Sequence, residues 1–157
     1  MSAISQTTYN LALTAQAAST MGVDAKWDAA VANYLRAYSL MQADDEYGAH
    51  NKAHNASLMH RFELEGQFGK GWRHHPGASE EVTRMDADLA VAREAHNQAY
   101  IAPYWKALRD LVATPSPSIV AATFKSLLIT AEEIYNDSAM IADCMTIVAE
   151  DFARLAA

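Results

Sequence analysis

The sequence predicts an all-α protein, and three observations support this fold class. Alanine is abundant, whereas glycine and proline occur only six and four times in 157 residues, a balance that favours helices. Runs of β-branched residues are short. The stretch 118–156 contains neither glycine nor proline, and its apolar residues recur at alternating spacings of four and three. We therefore expect helices that pack lengthwise on one another.

The C-terminal stretch 118–156 is the strongest part of this prediction. Every charged residue in it lies off two interleaved apolar rows, one of which contains Phe124 and Met145. The pattern predicts one long helix whose seam packs on other helices. A break at 136–138, where Asn-Asp-Ser combines a plausible C-cap and N-cap, is the alternative. The other row is aliphatic at seven-residue spacing: Val120, Leu127, Ile134, Ile141, Val148 and Leu155.

The N-terminal part of the chain predicts a weaker segment followed by a second long helix. Residues 1–21 are rich in small and polar side chains and form either an arm or a short helix. Asp24 is a suitable N-cap for a helix over about 25–65. The apolar stripe of that helix weakens after Met41, so a break near Gly48 is the alternative.

A glycine-rich loop over 66–78 separates that helix from the next one. The basic run 70–75 includes a tryptophan and has the chemistry to bind an anion, but we favour a connecting loop whose tryptophan closes the end of the bundle. Ser79 is a suitable cap for a helix over 80–113. Pro103 either kinks this helix or starts a new one.

The helix lengths predict an elongated up-down bundle of three long helices plus the short N-terminal helix or arm. A helix over 118–156 would span roughly 58 Å, whereas a compact globule of this size has a radius of gyration of only about 15 Å. The chain length fits a single domain over 1–157.

Composition excludes several classes of protein. The net charge of −7 is opposite in sign to that of a nucleic-acid binder, so we expect no direct contact with nucleic acid. A single cysteine, Cys144, forbids an internal disulfide and fits a reducing compartment. No apolar run approaches the roughly 20 residues that span a bilayer, and residues 1–10 do not resemble a secretory signal. We expect a cytoplasmic protein with no membrane contact.

The best candidates for metal ligands are Glu46, His50 and His54. At helical spacings of four they share roughly one face, and imidazoles with a carboxylate suit zinc or another divalent ion. The zinc-peptidase motif is absent because Asn51 stands where that motif needs glutamate. Histidines on a solvated helix face are the simpler interpretation, so we expect no cofactor, with a divalent metal as the alternative.

The seam of the C-terminal helix also predicts a subunit interface. Leu128, Ile129, Met140 and Ile147 lie beside the seam and widen its apolar face. A face this wide contacts more than one neighbouring helix, and a symmetric dimer is the commonest way for a soluble protein to cover such an excess.

The segment 114–155 contains a Pro-x-Pro turn, a lysine one turn into the following helix, and a closing Asp-x-x-Arg-Leu. These residues are Pro115, Pro117, Lys125, Asp151, Arg154 and Leu155. With these features the segment resembles the C-terminal part of small uncharacterised α-helical proteins from alphaproteobacterial genomes and prophages. The stretch 27–34 is similar to the N-terminal helix of the same proteins. The resemblance implies a bacterial or phage-associated origin and assigns no activity.

These observations lead to three functional hypotheses. The first is a non-enzymatic helical interaction protein that binds itself, as a homodimer, or another protein. The second is a metal-binding protein or metal-dependent enzyme that uses Glu46, His50 and His54. The third is an acidic blocker of a host nucleic-acid-binding factor, which requires that the acidic residues cluster on one surface.

Overall fold

The computed structural model describes residues 23–131 and 138–157, and the regular structure in these residues is helical throughout. The all-α fold class is therefore confirmed for this part of the chain, whereas the arm predicted over 1–21 lies outside it. No helix among the described residues is long and apolar enough to cross a bilayer. The helices are α1 Ala25–Tyr47, α2 Ala49–Phe68, α3 Pro76–His96, α4 Ala102–Ala113, α5 Ile119–Ala131 and α6 Ser138–Ala156. A 3₁₀ turn, Trp72–His74, precedes α3, and a π turn, Asn97–Ile101, joins α3 to α4.

The first long helix begins at the predicted cap but ends at Tyr47, so one continuous helix over 25–65 is wrong and the alternative, a break near Gly48, is correct. Oδ1 of Asp24 accepts a hydrogen bond from the backbone N–H of Trp27 at 3.0 Å, which satisfies a free donor of the first turn. Gly48 has an extended ψ of 174° and separates α1 from α2. A side chain at Gly48 would overlap both the carbonyl and the carboxylate of Asp44, so glycine is required for the close approach.

The connection after α2 is shorter than the sequence predicted. α2 continues through Gly66 to Phe68 and ends at Gly69, whose φ of 72° lies in the left-handed region that favours glycine. α3 begins at Pro76 and not at the predicted cap Ser79. Proline suits the first helical position because its fixed φ matches the helix and its missing N–H is not needed there.

Pro103 lies within a continuous helical segment and does not begin a new helix. The backbone N–H of Ala102 bonds to the carbonyl of Asn97, five residues earlier, which is the hydrogen bond of a π turn. Because proline cannot donate to the carbonyl four residues before it and its ring crowds that carbonyl, a widened turn just ahead of Pro103 lets the chain remain helical.

The prediction of one unbroken helix over 118–156 is wrong. Nζ of Lys125 on α5 lies 2.7 Å from Oδ2 of Asp151 on α6, so the two helices pack side by side. In a continuous helix these residues would be roughly 39 Å apart. Arg154, near the end of α6, contacts Ser116, just before α5, and the pair therefore runs antiparallel. The alternative, two helices, is correct, and 132–137 lie outside the described residues.

The predicted seam also does not coincide with the buried face of α5. Row members Val120 and Leu127 are 52% and 51% exposed. Lys125 and Asp151, which lie off the rows, are buried together instead. Periodicity assumes that charges face water, but a paired and hydrogen-bonded charge can lie inside. The buried face of α5 consists of Ala121, Ala122, Phe124, Lys125, Leu128 and Ile129.

The described residues divide into two compact units. Unit 1 contains the residues up to Arg36 and those from Trp105 onward, and unit 2 is Ala37–Tyr104. The core of unit 1 includes the buried side chains of Trp27, Tyr34, Leu108, Leu111, Phe124, Leu128 and Val148. A smaller core in unit 2 consists of Leu64, Trp72 and Ala78, with Phe68 and Val82 packed against it.

Candidate functional site

A buried ion pair lies at the centre of unit 1. The side chain of Lys125 is inaccessible to solvent and that of Asp151 is 7% exposed. Nζ of Lys125 donates a hydrogen bond to Oδ2 of Asp151 at 2.7 Å and another to the carbonyl of Thr114. Nζ also lies 5.5 Å from the centroid of the Trp27 ring, within range of a cation–π interaction.

Asp151 on α6 is hydrogen-bonded to the proline-containing turn between α4 and α5. Its carboxylate accepts hydrogen bonds from the backbone N–H of Ser116 at 3.1 Å and from the Ser116 hydroxyl at 2.6 Å. Arg154 donates to Asp151 at 2.9 Å and to the carbonyl of Ser116. The network therefore joins the turn, α5 and α6. It also brings together Lys125, Asp151 and Arg154, the charged residues on which the sequence resemblance rests.

Burial and hydrogen bonding shift the pKa values of three ionisable groups in unit 1. Burial lowers the pKa of Lys125, although Asp151 opposes the shift. Burial alone would raise the pKa of Asp151, but hydrogen bonds from Lys125, Ser116 and Arg154 lower it to about 2. Cys144 is a free, buried cysteine whose pKa is raised by burial and by nearby Asp143. A substrate in solvent cannot reach either the buried amine or the buried thiol.

A second polar cluster in unit 2 holds α3 against the end of α1. His96 is buried, and its Nδ1 lies 2.5 Å from Oδ2 of Asp44. Nε2 of the same ring lies 3.2 Å from Oδ1 of Asp45. The His50 ring stacks on His96 with centroids 5.1 Å apart. The absence of a side chain at Gly48 leaves room for the Asp44 carboxylate in this cluster.

The residues predicted to bind metal are only partly brought together by this cluster. His50 and His54 have ring centroids 6.4 Å apart, and His50 also contacts His96. The side chain of Glu46 lies outside the described residues. Among the side chains that are described, no group of three or more histidine, cysteine, aspartate or glutamate residues is arranged to hold a metal ion.

The basic loop after α2 uses its tryptophan internally, as the interpretation of a closing loop predicts. Trp72 is buried in the small core of unit 2. The guanidinium of Arg73 lies 5.3 Å from the centroid of the Trp72 ring, and the His75 ring stacks on Phe68 at 4.1 Å. Trp72 is therefore not available as a stacking surface for a bound anion.

The residues predicted to form a subunit interface occupy three different environments. Leu128 and Ile129 are buried in unit 1, so a second copy cannot contact them, and the prediction is wrong for these two. The correct phase of α5 explains the error, since both lie on its inward face. Ile147 is half-buried, and the side chain of Met140 lies outside the described residues.

The outward face of α5 has no charged residue. Lys125 is the one charged residue of this helix, and it points inward. About half of the side-chain surface is exposed at Ile119, Val120 and Leu127. The remaining exposed positions are Thr123, Thr130 and Ala131.

Unit 2 contains an open groove of about 460 Å³ between α2 and α3. These helices run antiparallel: His50, near the start of α2, stacks on His96 at the end of α3, while Leu64, near the end of α2, packs with Ala78 near the start of α3. Between these points Arg61 forms an ion pair with Asp86, and Nε2 of His60 lies 3.1 Å from Oε1 of Glu81. No pattern within a single segment of the sequence indicates this groove, because the groove depends on the pairing of two helices. The Lys125–Asp151 pair is not indicated by the sequence for the same reason.

Comparison of the chain with family models, curated proteins and solved structures yields no match.

Proposed function

We propose that this chain is a non-enzymatic helical interaction protein that self-associates through the outward face of α5. The observation that carries the proposal is the distribution of charge on that helix. Its charged residue, Lys125, is buried and paired, while its exposed positions are uncharged. The aliphatic residues Val120 and Leu127 remain about half exposed to solvent. An uncharged, partly aliphatic surface of this kind is typical of a surface that another protein covers.

The uncharged face of α5 permits a second copy as the partner despite the overall charge of the chain. Each chain carries a net charge of −7, so two copies repel each other wherever their acidic surfaces approach. The face of α5 allows contact without that repulsion. A two-fold axis would place Val120 and Leu127 against the same face of the other copy, which gives a self-complementary apolar contact.

Sedimentation velocity at tens of micromolar tests the proposal. We expect the wild type to sediment as a dimer and Leu127→Asp as a folded monomer, because the substitution places a charge in the contact. The matched control is Val91→Asp on α3, at a position that is 71% exposed, and it should leave the dimer intact. The elongated shape predicted from the sequence stays a prediction, and the frictional ratio from the same experiment tests it.

A monomeric wild type would defeat the proposal. Loss of the dimer in Val91→Asp but not in Leu127→Asp would contradict the assignment to α5. It would move the contact to unit 2.

A further inference from the structure

The hairpin of α2 and α3 leaves several of its larger apolar side chains exposed. On α2 only Ser57 and Leu64 are buried, and on α3 only Ala78 and His96. Met59 and Phe62 on α2 are 62% and 65% exposed. Two helices alone cannot cover each other's apolar stripes, and a third element seated in the groove would cover more of this surface.

The groove between these helices combines an apolar centre with an acidic rim. Met59, Met85 and Leu89 supply the largest apolar side chains that line it. Glu63, Glu81 and Asp88 line it as well, with Arg84 as the one arginine or lysine among the lining residues. The groove therefore has the form of a site for an amphipathic segment, with apolar contacts inside and charges along the edges.

His60 lies between two of these carboxylates and adds a second observation. Its Nδ1 is 3.2 Å from Oε2 of Glu63, and its Nε2 is 3.1 Å from Oε1 of Glu81. The Nε2 contact does not have the geometry of a hydrogen bond, and this buried atom has no hydrogen-bond partner among the described residues. Arg84 lies 3.8 Å from Oε1 of Glu81, whereas Glu63 and Asp88 have no lysine or arginine within ion-pair distance among the described residues, which favours a cationic occupant beside these two.

We infer that the groove between α2 and α3 docks a cationic amphipathic helix of another protein. Leucine-like side chains of that helix pack on Met59, Met85 and Leu89, and its lysine or arginine side chains reach Glu63 and Asp88. A second copy fits poorly, because a two-fold pairing of this surface would set one acidic rim against another. Residues 1–22 of the chain contain no lysine or arginine, so they lack the charges that the rim attracts.

A synthetic peptide tests this inference directly. The probe is a fluorescein-labelled leucine–lysine helix of about four turns, roughly 14 residues, and the control peptide replaces each lysine with glutamate. Fluorescence anisotropy should show saturable binding of the lysine peptide to the wild-type chain and little binding of the glutamate peptide. Failure of the lysine peptide to bind, or equal binding of both peptides, would overturn the inference.

Two charge-reversed variants separate the groove from the overall charge of the protein. The double substitution Glu63→Lys/Asp88→Lys should weaken binding by about tenfold, since it replaces two attractions with two repulsions. Glu65→Lys/Glu94→Lys changes the net charge equally at exposed positions that do not line the groove, and it should change the dissociation constant less than about twofold. An equal loss in both variants would show attraction to net charge alone and would contradict the assignment.

Met85→Asp provides a variant that tests the apolar part of the groove. The half-buried methionine contributes apolar surface, so the aspartate should weaken peptide binding even though it adds negative charge. Tighter binding would mean that charge alone holds the peptide, against the inference. The inference does not rest on self-association, and Leu127→Asp protein should bind the peptide as the wild type does.

Discussion

Replacing Asp151 with asparagine removes the negative charge from the most enclosed ion pair among the described residues. Lys125 would then remain at a position with no solvent access, without a counter-charge. Asparagine is close to aspartate in size and can still accept a hydrogen bond from Ser116. The substitution therefore tests charge compensation and leaves the packing of α5 on α6 nearly unchanged.

The expected loss in the free energy of unfolding follows from the burial of Lys125 and Asp151. Removing one partner of a buried pair costs about 3–5 kcal/mol, and because asparagine keeps part of the hydrogen bonding we expect about 3 kcal/mol. The matched control is Asp110→Asn, which breaks the Lys106–Asp110 pair at 2.6 Å, whose side chains are 73% and 52% exposed. An exposed pair of this kind contributes about 0.2–1 kcal/mol.

Urea unfolding followed by circular dichroism measures both variants. With a slope of about 2 kcal/mol per molar urea, a loss of about 3 kcal/mol lowers the midpoint by about 1.5 M. The double variant Lys125→Met/Asp151→Asn should be more stable than Asp151→Asn alone, since the uncompensated cation is gone. A loss in Asp151→Asn no greater than that in Asp110→Asn would refute the reasoning.

Three further predictions concern the acid stability of the ion pair in unit 1, two glycine substitutions in unit 2 and the metal content of the protein. The pKa of Asp151 lies below its ordinary value of 3.8, so the Asp151 carboxylate contributes roughly 2 kcal/mol of stability above about pH 4, and this contribution is lost as the pH falls toward about 2. When the free energy of unfolding is measured as a function of pH, Asp151→Asn should lose less stability in acid than Asp110→Asn. Equal losses in the two variants would contradict this prediction. Gly48→Ala should destabilise the chain by about 1–3 kcal/mol, because the new side chain overlaps Asp44. Gly66→Ala, at an exposed helical position with open space around it, should stabilise the chain by about 0.5–1 kcal/mol. Thermal melts that reverse this order would contradict the role assigned to Gly48 in the break between α1 and α2. Elemental analysis of protein purified without a histidine tag should find no stoichiometric metal, and an ion that is lost in His50→Ala/His54→Ala would favour the metal hypothesis instead.

Helix starts and breaks that depend on neighbouring residues were largely predictable from the sequence. Asp24 marks the start of α1 because an aspartate cap acts within one turn. Gly48 marks the break between α1 and α2, although the sequence left a continuous helix open. Pro76 marks the start of α3, three residues before the predicted cap Ser79, because proline suits the first helical position.

Features that depend on pairing between distant segments were not predictable in this way. The seven-residue row keeps its phase from Val120 to Val148, yet such a row is equally compatible with two antiparallel helices. The charge on Lys125 indicated an exposed position because no local pattern reveals a counter-charge 26 residues away. The groove between α2 and α3 likewise exists only after the two helices pair.

The same limit explains why two of the residues predicted to form an interface are buried on α5. Leu128 and Ile129 flank the predicted seam in the sequence, but the seam does not coincide with the buried face of α5. Once Lys125 is turned inward, these two residues are buried with it, and Val120 and Leu127 are left on the outside. The prediction of a self-associating surface therefore moves to the opposite face of the same helix.

Disulfide trapping on α5 is the most direct test of self-association. The single substitutions Val120→Cys, Thr123→Cys and Leu127→Cys place a thiol along the proposed contact, and the native Cys144 is buried. Under mild oxidation we predict that at least one of them converts largely to a covalent dimer, while the exposed control Thr83→Cys on α3 stays monomeric. No dimer from any of the three, or equal trapping in the control, would contradict the account.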